Sequence, residues 1–167
     1  KYEEALKWYR DIGRGHHHFD AQLRAAAVLG KLKRVAAAPA MLRALQPTAE
    51  KDQVRIIQTE AQMLRESTDM ATAHEVLSRG LLTFPDSPEL LYDRAMAAEP
   101  LGLLEEVEKD LSRLIELQPD HAHAYNALGY TLVDRTGRYV EAVELLEKAL
   151  KLAPGDPFIL DSMGWAM

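Results

Sequence analysis

The side chains best suited to ligation or catalysis are few and badly spaced. His16-His17-His18 follows Gly13-Arg14-Gly15 and invites a metal reading. Adjacent helix residues point about 100° apart, which is poor for chelation, although a loop brings two together more easily. His121 and His123 are two apart and diverge on a helix. Solvated histidines at a helix start are the simpler reading. Gly13-Arg14-Gly15 lacks the third glycine and the preceding strand of a dinucleotide fingerprint. No GxSxG, P-loop or HExxH string occurs. Glu105-Glu106 begins a helix, where acidic residues suit the dipole. Lys31, Lys33 and Arg34 form a short basic turn, read as a solvated loop before a phosphate site. The expectation is a protein with no catalytic residue, no metal and no cofactor, whose function lies in a surface.

The elements carrying that surface are helices. The 167 residues are 47% hydrophobic and 28% charged, apolar enough to bury a core. Alanine and leucine are abundant and lose little rotamer freedom in a helix. Long β-branched runs are missing, so no parallel sheet is expected. A net charge of −6 lacks the basic excess that displaces counterions from nucleic acid phosphates. Cysteine is absent, which excludes disulfides, thiolate zinc sites and cysteine nucleophiles, and fits periplasm and cytosol equally. No apolar run reaches the length of a membrane span. Lys1-Tyr2-Glu3-Glu4-Ala5-Leu6-Lys7-Trp8 is no signal peptide. It reads as a helix under way, with an expectation that the natural chain begins earlier.

Internal repetition organises the whole sequence. Pro85, Pro119 and Pro154 are 34 and 35 residues apart, each after an apolar helical stretch and before a helix start. Ser87 and Asp156 precede prolines and read as N-caps; Asp120 is the expected cap of the start between them. The clearest unit runs from Ala122 to Asp156. Tyr125, Leu128, Gly129 and Leu132 lie on one stripe, Thr136-Gly137-Arg138 turns the chain, and Ala142, Leu146 and Ala149 follow before Pro154. Gly129 and Ala142 are small so that two helix backbones can approach closely.

That order of aromatic, Leu-Gly, apolar, Ala, large apolar, Ala and Pro resembles the tetratricopeptide repeat (TPR), with one extra residue in the turn. Weaker copies place Ala95 with Val107, Leu111 and Leu114, Ala61 with Ala73, Leu77 and Gly80, and Ala25 with Ala37, Met41 and Ala44. Pro39 is tolerable only near the start of its helix. The resemblance implies an all-α fold, a TPR-type α-solenoid of about ten helices in a right-handed superhelix. Its expected parts are a lone helix near 2–12, repeats near 18–50, 54–87, 88–121 and 122–156, and a partial repeat over 157–167. A repeat this short cannot bury its own apolar face, so neighbours must stack.

In TPR proteins the first helix of each pair lines the concave side. Residue by residue, that assigns Arg55, Gln58, Gln62 and Arg65 to the groove, then Glu89, Tyr92, Met96 and Glu99. His123, Asn126, Tyr130 and Val133 follow, and then Phe158, Asp161 and Trp165. The stripe drifts from polar to aromatic. Aromatic side chains and methionine are common interface anchors. Either Tyr92, Tyr130 and Trp165 hold an apolar or amphipathic partner segment, or Tyr92 and Tyr130 pack between neighbouring helices and Trp165 packs on a further repeat. The residue before the small position reads Arg24, Glu60, Arg94, Leu128. Either Glu60 pairs with one of those arginines, or all three charges face solvent. Lysines of the carboxylate-gripping TPR domains are missing.

The expected function is a non-catalytic scaffold or adaptor for a protein partner, without nucleic acid. Asn126 to Tyr130, Asp134 to Arg138 and Leu160 to Trp165 are similar to TPR lipoproteins of Gram-negative envelopes. Some of those recruit a carboxyl-terminal-processing protease and its substrates, which implies a periplasmic, outer-membrane-associated setting; a cytoplasmic one is the alternative. An RNA-binding helical-repeat module and a regulatory region of a larger enzyme are the competing functions.

Overall fold

Between the prolines the chain folds as helices. A computed structural model describes residues 1–12, 15 and 17–167. Gly13, Arg14 and His16 lie outside the described residues, and with them part of the histidine and glycine readings. Ten α-helices and no strand occur among the described residues. They are α1 (Tyr2–Asp11), α2 (His18–Lys31), α3 (Ala38–Arg43), α4 (Glu50–Glu66), α5 (Met70–Thr83), α6 (Pro88–Ala98), α7 (Leu104–Leu117), α8 (Ala122–Thr131), α9 (Tyr139–Leu152) and α10 (Pro157–Ala166). No helix described here is long and apolar enough to cross a membrane.

Two compact units result, Lys1–Asp93 and Arg94–Met167. The first is centred on Leu6, Leu29, Leu42, Met63 and Leu77, all at most 3% exposed. The second is centred on Val107, Leu111, Leu114, Leu132, Leu146 and Ile159, all at 0%. The small positions mark the closest approaches. A Cβ on Gly129 would stand 2.8 Å from Leu146 Cγ and 3.1 Å from the Ala142 carbonyl oxygen, so α8 and α9 meet nearly backbone to backbone. Ala142 and Ala149 are fully buried beside it. In the first unit α3 is only six residues long, and α2 packs against α4 through Gly30, whose Cβ would stand 2.8 Å from Met63 Cα.

Caps explain where helices start. Asp156 Oδ1 accepts from the amides of Phe158 (2.9 Å) and Ile159 (3.3 Å). Ser87 Oγ accepts from Leu90 N–H at 3.4 Å. The expected cap Asp120 is displaced by its neighbour: His121 Nδ1 accepts from Ala124 N–H at 3.0 Å. A histidine ring reaches the same orphan amide that a carboxylate would, one position later. Pro39 does sit in the first turn of α3.

The turns inside the helix pairs show the period most plainly. Lys33 (φ 54°), Thr68 (φ 68°), Gly102 (φ 74°) and Gly137 (φ 69°) are all left-handed. At Thr68 the closure is a Schellman motif, with Asp69 N–H to Leu64 C=O and Thr68 N–H to Arg65 C=O, both 2.9 Å. A β-branched residue is strained there, and glycine is not. Thr68→Gly should therefore raise stability by about 1 kcal/mol, read as a higher urea midpoint; an unchanged or lower midpoint would show the strain is absorbed elsewhere. After α8 a π-turn over Leu132–Thr136 takes up the extra residue counted in that unit.

Candidate functional site

The first helices of consecutive pairs are α2, α4, α6, α8 and α10, and in the first unit polar contacts link α2 to α4 and α4 to α6. Arg55 of α4 reaches Asp20 of α2 at 2.5 Å and its own Asp52 at 3.2 Å, while its guanidinium lies 5.1 Å from the Phe19 ring centre. Those partners hold the Arg55 guanidinium above its ordinary range, Asp20 first. Gln58 donates to Asp93 Oδ2 at 2.8 Å, and Arg65 lies 3.8 Å from Asp93 Oδ1. Gln62 donates to Glu66 at 2.9 Å. A shallow depression of about 430 Å³ lies over this face, lined by Arg24, Arg55, Gln58, Gln62 and Asp93 among others. Asp93 was not among the sequence-derived groove residues. It sits one residue past Tyr92, and only the neighbouring helix reveals it.

Burial pushes the Asp93 carboxyl above the usual carboxylate range, with Glu89 adding to it, against the Gln58 hydrogen bond and the Arg65 charge. A raised folded value means the fold favours the neutral form. Its contribution is fully present below the unfolded value and is lost as pH rises through the folded one. Asp93→Asn, which keeps an acceptor for Gln58, should thus be more stable than the parent at neutral pH. The difference should vanish below about pH 4, where both side chains are neutral. Denaturation midpoints at the two pH values check it; a variant less stable at neutral pH would refute it. Tyr92 is also half-buried, and burial raises its phenol.

In the second unit the corresponding face is aromatic. Tyr130 is 39% exposed, Phe158 72% and Trp165 64%. Met96 and Asn126 are half-buried, and Asn126 Oδ1 is fully buried with no hydrogen-bond partner among the described residues. Tyr125 is half-buried and donates from its hydroxyl to the Pro119 carbonyl at 3.3 Å. His123 is exposed, with Nε2 3.7 Å from Asp156 Oδ2. Arg135 bridges to Glu99 at 2.5 Å, and Val133 is buried. Leu128 is buried and Pro154 exposed in its turn.

The ladder expected along Arg24, Glu60 and Arg94 does not form. Arg94 turns into its own helix pair and grips Asp110 through two hydrogen bonds of 2.7 and 2.6 Å. Arg24 is exposed, and Glu60 makes no ion pair among the described residues. The reason is a better partner: Asp110 is 1% exposed and its carboxylate presents both oxygens to the planar fork. Nothing in the repeat pattern distinguished Asp110 from a solvated helix residue. The basic turn is likewise engaged, with Arg34 on Glu3 at 2.8 Å and Lys31 3.8 Å from Glu66. No group of three metal-ligating side chains occurs among the described residues.

Helix pairs repeating every 34 or 35 residues, with small residues at each close approach, define a tetratricopeptide-repeat α-solenoid. Residues 108–157 match the pattern of the tetratricopeptide-repeat family. The TPR repeat-containing protein PA4667 of Pseudomonas aeruginosa is 44% identical over 161 residues, 96% of this chain and 27% of that protein. The chain thus spans about a quarter of that relative's length. Among solved structures, YrrB, described as a TPR protein with an unusual peptide-binding site, matches with a TM-score of 0.69 at 20% identity, over 98% of this chain and 84% of that one. The second TPR domain of human RPAP3, solved with an HSP70 peptide, matches with a TM-score of 0.58 at 25% identity, over 74% and 96%. MamA matches with a TM-score of 0.64 at 25% identity, over 98% and 81%.

Proposed function

We propose that this chain is a non-catalytic protein-interaction module that holds a peptide segment of another protein on the face of its first helices. The observation that carries the reading is Tyr130, exposed on that face in the second unit with helices before and after its own. Exposed aromatic side chains offer much apolar area for little ordering entropy. In the first unit Arg55, Gln58, Gln62 and Arg65 give a polar counterpart whose charges already have partners. The TPR neighbours that bind peptides lend the reading support by fold.

The proposal carries a partner class and a place. The partner is a carboxyl-terminal-processing protease or its substrates, and the place is the periplasmic side of the outer membrane. Both rest on the likeness of 126–130, 134–138 and 160–165 to envelope TPR lipoproteins. The experiment is affinity capture with the intact protein and with Tyr92→Ala and Tyr130→Ala together. Loss of a partner by a variant with unchanged circular dichroism is the expected result. Unchanged recovery of every partner removes the groove; collapse of the helical signal assigns the tyrosines to packing instead.

A further inference from the structure

Two depressions adjoin on the first unit. One, of about 430 Å³, is lined by Arg24, Arg55, Gln58, Gln62 and Asp93 among others. The other, of about 540 Å³, is lined by Glu50, Lys51, Arg55, Gln58, Asp86 and Glu89 among others. Arg55 and Gln58 line both, so the two form one trough along α4, between α2 and α6. Each of these three helices has helices before and after it. From Lys51 to Gln62 the trough follows α4 for about 16 Å, a length that about five extended residues cover. Its middle is committed. Arg55 holds Asp20 and Asp52, and Asp93 is held by Gln58 and Arg65. Its ends are not. Arg24 makes no ion pair among the described residues, because Asp20, one turn before it, goes to Arg55. At the other end Glu50 and Glu89 make no ion pair among the described residues, and with Asp86 they outnumber Lys51. Glu89 accepts a hydrogen bond from Ser87 Oγ at 2.9 Å, which leaves its charge unmatched. The trough is therefore positive at one end and negative at the other.

We infer that this trough takes an extended segment with an acidic and a basic side chain about five residues apart, the acidic one on Arg24 and the basic one on Glu50 and Glu89. The inference rests on the peptide-binding reading above and adds to it the partner's charge pattern in the first unit. Arginine offers an incoming carboxylate a planar fork of donors, and Arg24 spends none of that fork on another described side chain. At the far end a lysine stem covers Val54 and Pro88 while its head reaches the two carboxylates. A segment acidic at both ends meets Glu50 and Glu89, and one basic at both ends meets Arg24. Each of those sets like charges against each other, which a segment of mixed ends avoids.

Three short synthetic peptides with one shared apolar centre test this on the full chain. Their end residues are glutamate and lysine, glutamate twice, or lysine twice. Affinity is read by fluorescence anisotropy of the labelled peptide and location by amide shifts in NMR. The mixed peptide should bind about fivefold tighter than either other at low salt, with the preference shrinking as salt screens it. The shifts should fall on Arg55, Gln58 and Gln62. Arg24→Glu should remove the advantage over the lysine peptide, and Glu89→Lys the advantage over the glutamate peptide. Both positions are exposed, so the fold survives either change. Equal binding of the three peptides at those amides, or preferences unmoved by the two substitutions, overturns the charge assignment and leaves peptide binding standing. Shifts confined to the first helices of the second unit overturn the placing and also leave peptide binding standing. If no peptide moves any first-helix amide in the folded chain, the charge assignment and the peptide-binding reading fall together.

Discussion

Replacing Asp110 with alanine will lower the stability of the chain by about 3 kcal/mol or more, because one half of a buried ion pair is left behind. Asp110 is 1% exposed and takes two hydrogen bonds from Arg94, whose side chain is 16% exposed. Neither group is easily rehydrated without opening the α6–α7 pair. Arg94 retains Glu106 at 3.8 Å, which softens the loss without replacing the bidentate geometry. Arg94→Leu restores the residue usual before the small position, yet it strands the Asp110 carboxylate and should also destabilise. The two changes together, Arg94→Leu with Asp110→Leu, should recover most of the loss, since an apolar pair of similar volume avoids the desolvation of both charges. The coupling in the cycle of parent, Arg94→Leu, Asp110→Leu and the double variant should reach at least about 2 kcal/mol. Urea denaturation followed by circular dichroism measures these four chains and Asp110→Ala. A loss below about 1 kcal/mol for Asp110→Ala would mean that solvent reaches the pair and screens it.

That pair also marks where legibility of the sequence ends. Gly129, Ala142, Leu146 and Ala149 could be read because close helix packing permits little else at those places, so the constraint is written in residue type. Thr68 and Lys33 occupy the turn position that Gly102 and Gly137 occupy later. Spacing finds them, but residue type does not, because the fold tolerates their strain. Arg94 and Asp110 carry the residue types of a solvated surface, and only the packing of α6 on α7 shows that they are not. In the second unit the register assigns Tyr130, Phe158 and Trp165 to the first helices, and all three are exposed. In the first unit the Asp93 contact to Gln58 crosses from one helix to the next over 35 residues, and a single repeat's pattern contains no information about it.

Gly30→Ala should cost about 2 kcal/mol, although alanine is the better helix former, because the added methyl group overpacks a backbone contact. Its Cβ would stand 2.8 Å from Met63 Cα and 3.0 Å from the Met63 carbonyl oxygen. Backbone cannot rotate away, so α2 and α4 must separate, and Met63, at 0% exposure, loses contacts as they do. Gly129→Ala should cost less, since its nearest atom is Leu146 Cγ, a side chain with some freedom to turn, while the Ala142 carbonyl oxygen stands at 3.1 Å. Gly164 occupies the same register place in the last helix, yet nothing lies within 4 Å of its Cβ direction. Gly164→Ala should therefore gain up to about 1 kcal/mol from helix propensity alone. Three identical substitutions are thus expected to give a large loss, a smaller loss and a gain, in the order of what each methyl group meets. Urea midpoints for the three variants decide it. A Gly30→Ala chain as stable as the parent would show that α2 and α4 do not hold the approach described, and with it the packing of the first unit.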